Sequence, residues 1–195
     1  MPPVVGVLAL QGAFSAHAES LSRVGASTLE VRTPSDLSRV DALVMPGGES
    51  STMSQLLDSS GLFDAVSARL AAGMPVFGTC AGMILLASEV LDGRADQRSF
   101  GVLDISVRRN AFGRQVDSFE ATISTGEGSF HGVFIRAPRI ECVGEGVTVV
   151  GTLDGGEPVL VRQGNVLAAS FHPELAGDDR LHDYFVSSIV PERKV

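Results

Sequence analysis

Apolar residues in the first half of the chain fall in short continuous runs separated by glycine, proline and polar clusters. Val4–Leu10 is one such run, and Gln11-Gly12 ends it. Continuous rather than alternating apolarity marks a strand covered on both faces. Ala13–Val24 then spaces its apolar residues as a helix, and Thr28–Arg32 reads as a short strand. Ala42–Met45 is a second buried strand, stopped by Pro46-Gly47-Gly48. Ser51–Leu57 and Leu62–Ala72 predict two helical segments, broken at Ser59-Ser60-Gly61. Met74-Pro75 leads into a strand ending at Cys80, and Met83–Ala87 starts another helix. Such β-α-β-α-β alternation predicts a mainly parallel sheet with helices on both faces.

The second half has a different rhythm. Val102–Arg108, Phe119–Ser124, Gly132–Ile135, Thr148–Leu153, Pro158–Val161 and Val166–Ala169 read as short strands, with Asp154-Gly155-Gly156 as a hairpin turn. His182–Ile189 closes the pattern as a helix. No repeat or linker interrupts it, so residues 1–190 are expected to form one domain and 191–195 a flexible tail. At 195 residues and 44% hydrophobic, the chain is long and apolar enough for a sizeable core. A net charge of −8 argues against nucleic-acid or anionic-membrane partners. Two cysteines do not make a disulfide scaffold. No signal-like segment and no apolar run of about 20 residues appears, so the cytoplasm is the expected compartment.

Three segments carry chemistry, each just after an expected strand. In Gly78-Thr79-Cys80-Ala81-Gly82, glycines two residues either side of a thiol permit a sharp strand-to-helix turn with the sulfur at its apex. A cysteine nucleophile needs a base and a group to orient that base. Ser170-Phe171-His172-Pro173-Glu174 offers both. Pro173 favours extended backbone at His172, and residues two apart in an extended segment share a face, so Glu174 is expected to reach one imidazole nitrogen. In Pro46-Gly47-Gly48-Glu49-Ser50-Ser51, paired glycines let backbone N–H groups approach an acyl oxyanion, while Ser50 or Ser51 could cap a helix. Other residues invite plainer readings. Cys142 is expected to be a small core residue and His17 to lie on a helix surface. His131 and His182 have no companions at ligand spacing, so no metal is expected.

Together these segments resemble the class I, or triad, glutamine amidotransferases. Leu8-Ala9-Leu10-Gln11-Gly12, the stretch from Arg109 to Glu120, and Phe134-Ile135-Arg136-Ala137-Pro138 narrow the resemblance to the glutaminase subunits of pyridoxal 5′-phosphate synthase, the PdxT family. The resemblance covers almost the whole chain, with Arg94–Ser99 as the one loop carrying no matching motif. It implies a flavodoxin-like three-layer α/β domain that hydrolyses L-glutamine to glutamate and ammonia. Cys80 would be the nucleophile, His172 the base and Glu174 its orienter. Gly47 and Gly48 would form part of the oxyanion hole. Gly48, Glu49, Ser50, Arg109, Ile135 and Arg136 would contact glutamine. No cofactor is implied. The implied partner is a (β/α)8-barrel synthase subunit within a large hetero-oligomer, with Gln11-Gly12 as a contact and activation element. The alternatives are a glutaminase serving another synthase, such as imidazole glycerol phosphate synthase, a non-catalytic regulatory module of the same fold, and a cysteine peptidase of related fold.

Overall fold

The computed structural model of the chain describes residues 2–109 and 118–191. The middle of the Arg109–Glu120 motif and the tail beyond Pro191 lie outside the described residues.

The first half alternates strands and helices as the apolar runs predict. β1 (Val4–Leu8), α1 (Phe14–Arg23), β2 (Ser27–Val31), α2 (Pro34–Leu37), β3 (Ala42–Met45), α3 (Ser50–Ser59), α4 (Leu62–Ala71), β4 (Val76–Thr79) and α5 (Ala81–Leu86) follow in order. The second half supplies β5 (Ala87–Val90), β6 (Leu103–Arg108), β7 (Ser118–Thr125), β8 (Gly128–Ile135), β9 (Arg139–Val143), β10 (Thr148–Thr152), β11 (Pro158–Gln163), β12 (Val166–Ala169) and α6 (Arg180–Ser188).

One large sheet runs in the order β2-β1-β3-β4-β12-β11-β10-β7-β8. Its first five strands are parallel and the rest antiparallel. The parallel strands split their side chains between two cores, as the two-residue period requires. Leu8, Leu43, Met45 and Val76 face a cluster completed by α3, α4 and α5. Val5, Val7, Val44 and Phe77 face the other cluster, completed by Leu21 of α1 and Phe185 of α6. The chain leaves β1 toward β2 and then returns past β1 to β3. That reversal opens a crevice at the carboxyl ends of the strands, where ligands bind in open α/β sheets.

Three elements depart from the pattern expected of the sequence. α2 is a single turn set by a capping box: Asp36 N–H donates to Thr33 Oγ1 at 3.2 Å, and Thr33 N–H to Asp36 Oδ2 at 3.0 Å. Ala87, expected to be helical, begins β5 instead, and β9 was not anticipated. These two flank β6 in a separate three-stranded sheet ordered β5-β6-β9. As an edge strand, β9 buries Ile140 but exposes Cys142, so Cys142 is a surface thiol rather than a core residue.

Candidate active site

Cys80 sits between β4 and α5 with φ 49° and ψ −105°, a left-handed conformation costly for a residue with a side chain. Its flanking glycines explain how the turn closes. A Cβ on Gly78 would collide with Leu86 and Gly82, and one on Gly82 would collide with the Met45 carbonyl. The elbow is tied to the neighbouring strand by Cys80 N–H donating to Ala169 O at 2.8 Å. The thiol is 5% exposed, and its Sγ donates to Ile135 O at 3.8 Å.

His172 follows β12, the strand beside β4. Its N–H donates to Val133 O of β8 at 2.8 Å, which anchors the residue across the sheet. Its Nδ1 lies 2.8 Å from Glu174 Oε1. The contact arises differently from the extended geometry expected of the sequence. Pro173–Leu175 is a 3₁₀ turn, and it folds Glu174 back onto the imidazole. Burial opposes charge on His172, but hydrogen bonds and charge at Cys80 and Glu174 outweigh it and raise the ring above its ordinary value. Glu174 is pushed up by burial but held below the ordinary carboxylate value by the His172 hydrogen bond and by His17.

The loop after β3 comes up against this pair. A Cβ on Gly47 would strike the His172 ring, so only glycine lets the loop lie flat on the imidazole. Gln11 Oε1 accepts from Glu49 N–H at 3.1 Å, and Gly12 abuts the Gly47 carbonyl, so the two glycine loops are packed together. The cap of α3 is Glu49 rather than Ser50 or Ser51. Its carboxylate accepts from Ser51 N–H at 3.1 Å and Thr52 N–H at 2.7 Å. Burial works against that charge, but the hydrogen bonds hold Glu49 down at about 2.

Arg109 reaches this helix start. Its Nη1 donates to Ser51 Oγ and Gln97 Oε1, both at 2.8 Å, and its Nη2 lies 3.5 Å from Glu49 Oε1. Gln97 Nε2 donates to Ser50 Oγ at 3.2 Å. The Arg94–Ser99 loop, blank in the sequence, therefore fastens Arg109 to α3. No local signal could have shown this, because the contact is wholly tertiary.

Cys80, His172, Gly47, Gly48, Glu49, Ser50, Arg109, Ile135, Arg136, Gln11 and Gly12 line one cavity of about 370 Å³. Glu174 stands behind His172, outside that lining. A larger hollow of about 430 Å³ lies between β7, β8, β10 and α6, but it holds no nucleophile beside a base. Size and chemistry part company here, and the chemistry marks the smaller cavity.

His17 also departs from expectation. It is fully buried in α1, not on its surface. Its Nδ1 is 2.9 Å from His182 Nε2, and its Nε2 is 3.1 Å from Thr79 Oγ1 and 3.3 Å from Glu174 Oε2. Its position four residues before Leu21, on the buried side of α1, was the available signal. Among the described residues no group of three or more His, Cys, Asp or Glu side chains could hold a metal ion. No helix among them is long and apolar enough to cross a membrane.

A doubly wound α/β domain that sets a cysteine elbow beside a histidine–carboxylate pair has the parts a cysteine nucleophile requires. Comparison with known proteins narrows the class. The SNO glutamine amidotransferase family matches residues 7–191, and the chain belongs to that family. It is 56% identical to the pyridoxal 5′-phosphate synthase subunit PdxT of Salinispora arenicola, over 96% of each chain. It is also 56% identical to the subunit of that name from Mycobacteroides abscessus, covering 97% of this chain and 98% of that one. A crystal structure described as a glutamine amidotransferase superposes with a TM-score of 0.88 at 54% identity, covering 94% of this chain and 97% of the other.

Proposed function

We propose that this chain is the glutaminase subunit of a pyridoxal 5′-phosphate synthase, working as a single domain over residues 1–190. The observation that carries the reading is the cavity in which the thiol of Cys80 and the Glu174-oriented imidazole of His172 meet the glycine loop after β3. Similarity to PdxT subunits across nearly their full length supplies the substrate and the pathway.

In this reading His172 takes the thiol proton of Cys80 as the sulfur attacks the side-chain amide carbon of glutamine. The C–S bond forms, and the carbonyl electron pair moves to oxygen, stabilised by backbone N–H groups of the Gly47-Gly48 loop. His172 returns the proton to the nitrogen, the C–N bond breaks, and ammonia leaves a glutamyl thioester. Water, deprotonated by His172, then releases glutamate and regenerates the thiol. Glu174 holds the ring so that Nε2 is the working nitrogen and stabilises the imidazolium. Arg109 and Arg136 suit the substrate's α-carboxylate, and Glu49 its α-ammonium. Ser50, Gly48 and Ile135 complete the glutamine site.

Ammonia passes to a (β/α)8-barrel synthase subunit within a large hetero-oligomer, in the cytoplasm. Gln11-Gly12 is its contact and activation element: Gln11 holds the Glu49 amide and Gly12 presses on Gly47, so pressure there reaches the oxyanion loop. The test is glutamate release by native chain and Cys80→Ala, each with and without the cognate synthase subunit. Native activity should rise when the partner is added. Cys80→Ala should bind the partner and release nothing; undiminished release overturns the nucleophile assignment.

A further inference from the structure

We propose that His17 is a positioning residue of the active site, presenting an Nε2–H to the second carboxylate oxygen of Glu174 and so fixing the orientation in which Glu174 holds His172. The inference rests on reading Cys80, His172 and Glu174 as the catalytic triad.

The Glu174 side chain is completely buried, and its two oxygens have unequal partners. Oε1 accepts from His172 Nδ1 at 2.8 Å. Oε2 meets no well-aligned donor among the described residues, and His17 Nε2 stands 3.3 Å from it. That nitrogen is aligned with Thr79 Oγ1 at 3.1 Å, so a proton on it points at the hydroxyl with Glu174 Oε2 to one side, 3.3 Å from the nitrogen. A buried carboxylate oxygen without a donor is costly, and a small turn of the carboxylate toward His17 relieves it.

The tautomer follows from what surrounds the two buried imidazoles. His17 Nδ1 faces His182 Nε2 at 2.9 Å, so one of these nitrogens donates and the other accepts. His182 Nδ1 is buried and has no partner among the described residues. If His17 donated from Nδ1, neutral His182 would carry its proton on that orphaned Nδ1, and His17 Nε2, accepting from the Thr79 hydroxyl, would offer the Glu174 carboxylate no proton. If His182 donates from Nε2 instead, its orphan is a lone pair rather than an N–H, and His17 turns an N–H toward Glu174. The second arrangement leaves no buried N–H without an acceptor and gives the Glu174 carboxylate a second donor. Burial outweighs the pull of Glu174 and pushes His17 down to about 4, and burial with the neighbouring His17 pushes His182 down to about 3. Both rings are therefore neutral when the enzyme works. Glu174 is clasped by one imidazole on each oxygen: His172 turns over during the reaction, and His17 stays put.

Two measurements test this. In the full native chain labelled with ¹⁵N-histidine, His17 should show a protonated Nε2 and a bare Nδ1; the opposite tautomer overturns the proposal. Glutamine hydrolysis is then measured with the synthase subunit bound. His17→Gln places an amide N–H near the Nε2 position, whereas the shorter His17→Asn does not reach Glu174. His17→Asn should lose about tenfold to a hundredfold in kcat with KM held within about twofold, and His17→Gln should keep kcat within about threefold. Equal impairment of both variants, full activity of His17→Asn, or a loss confined to KM overturns the proposal. If neither variant folds, the tautomer in the native chain decides alone. A Cys80→Ala control that still releases glutamate marks failure of the triad reading itself, separately from either His17 result.

Discussion

Glu174→Gln exchanges one oxygen for nitrogen and removes one buried charge, with almost no change of shape. In the orientation that keeps an oxygen toward His172, the 2.8 Å hydrogen bond survives without its charge. A charge-assisted hydrogen bond contributes about 1.5–3 kcal/mol and a neutral one about half as much, so the loss of about 0.75–1.5 kcal/mol slows hydrolysis by about fourfold to tenfold. That orientation also turns the new NH₂ toward His17 Nε2, which lies 3.3 Å from the Oε2 position, and sets donor against donor. In the opposite orientation the NH₂ faces His172 Nδ1. The ring must then carry its proton on Nε2, the nitrogen that has to accept from Cys80, and the loss approaches about 10⁴-fold. The assay is glutamate release at saturating glutamine with the synthase subunit present, with kcat and KM resolved and the fold checked by thermal melting. The expected result is a fall of at least about fourfold in kcat with KM nearly constant. A folded variant with kcat within about twofold of native would refute the argument that Glu174 orients the base.

Gln97→Ala removes one of two links between Arg109 and α3, leaving the direct bond to Ser51, and KM for glutamine should rise about threefold to tenfold while kcat holds; a steady-state titration showing unchanged KM would detach that loop from substrate binding. Thermal stability should peak near pH 6.5. His17 and His182 have folded-state values lowered from 6.5, so the unfolded chain binds more protons on acidification, and each removes up to about 1.4 kcal/mol per pH unit until its folded value is reached. His172 is raised, so its stabilisation is complete below 6.5 and fades at higher pH. A melting temperature that stays level from pH 6.5 to 5 would contradict the buried, neutral histidine pair.

What the sequence disclosed was local. The elbow was legible because its glycines stand at fixed offsets from Cys80 and have a steric reason to be there, which close packing against Met45 and Leu86 bears out. The parallel half was legible because strands buried on both faces announce themselves as apolar runs. The pairing of His172 with Glu174 was anticipated through the wrong backbone: a two-residue offset suits an extended strand, but a 3₁₀ turn achieves it here. His17 and Gln97 were misread or passed over because their partners lie far along the chain, at Glu174 and His182, and at Ser50 and Arg109. Cys142 was misplaced for the same reason, since only the pairing of β9 at the edge of the small sheet decides which of its residues face solvent.

The pairing of β4 with β12 sets when the site can exist. Val76 lies opposite Val166, and Thr79 opposite Ala169, so the strands carrying nucleophile and base are spatial neighbours made at widely separated times during synthesis. Until β12 arrives, β4 is an open edge, with a row of unpaired backbone groups beside the thiol. Closing that long loop is a non-local step of the kind that slows folding. A newly made chain therefore has no partner for its nucleophile until the large sheet has closed, and hydrolytic competence reports that closure. Regain of glutaminase activity after dilution from denaturant would thus time the insertion of a single central strand.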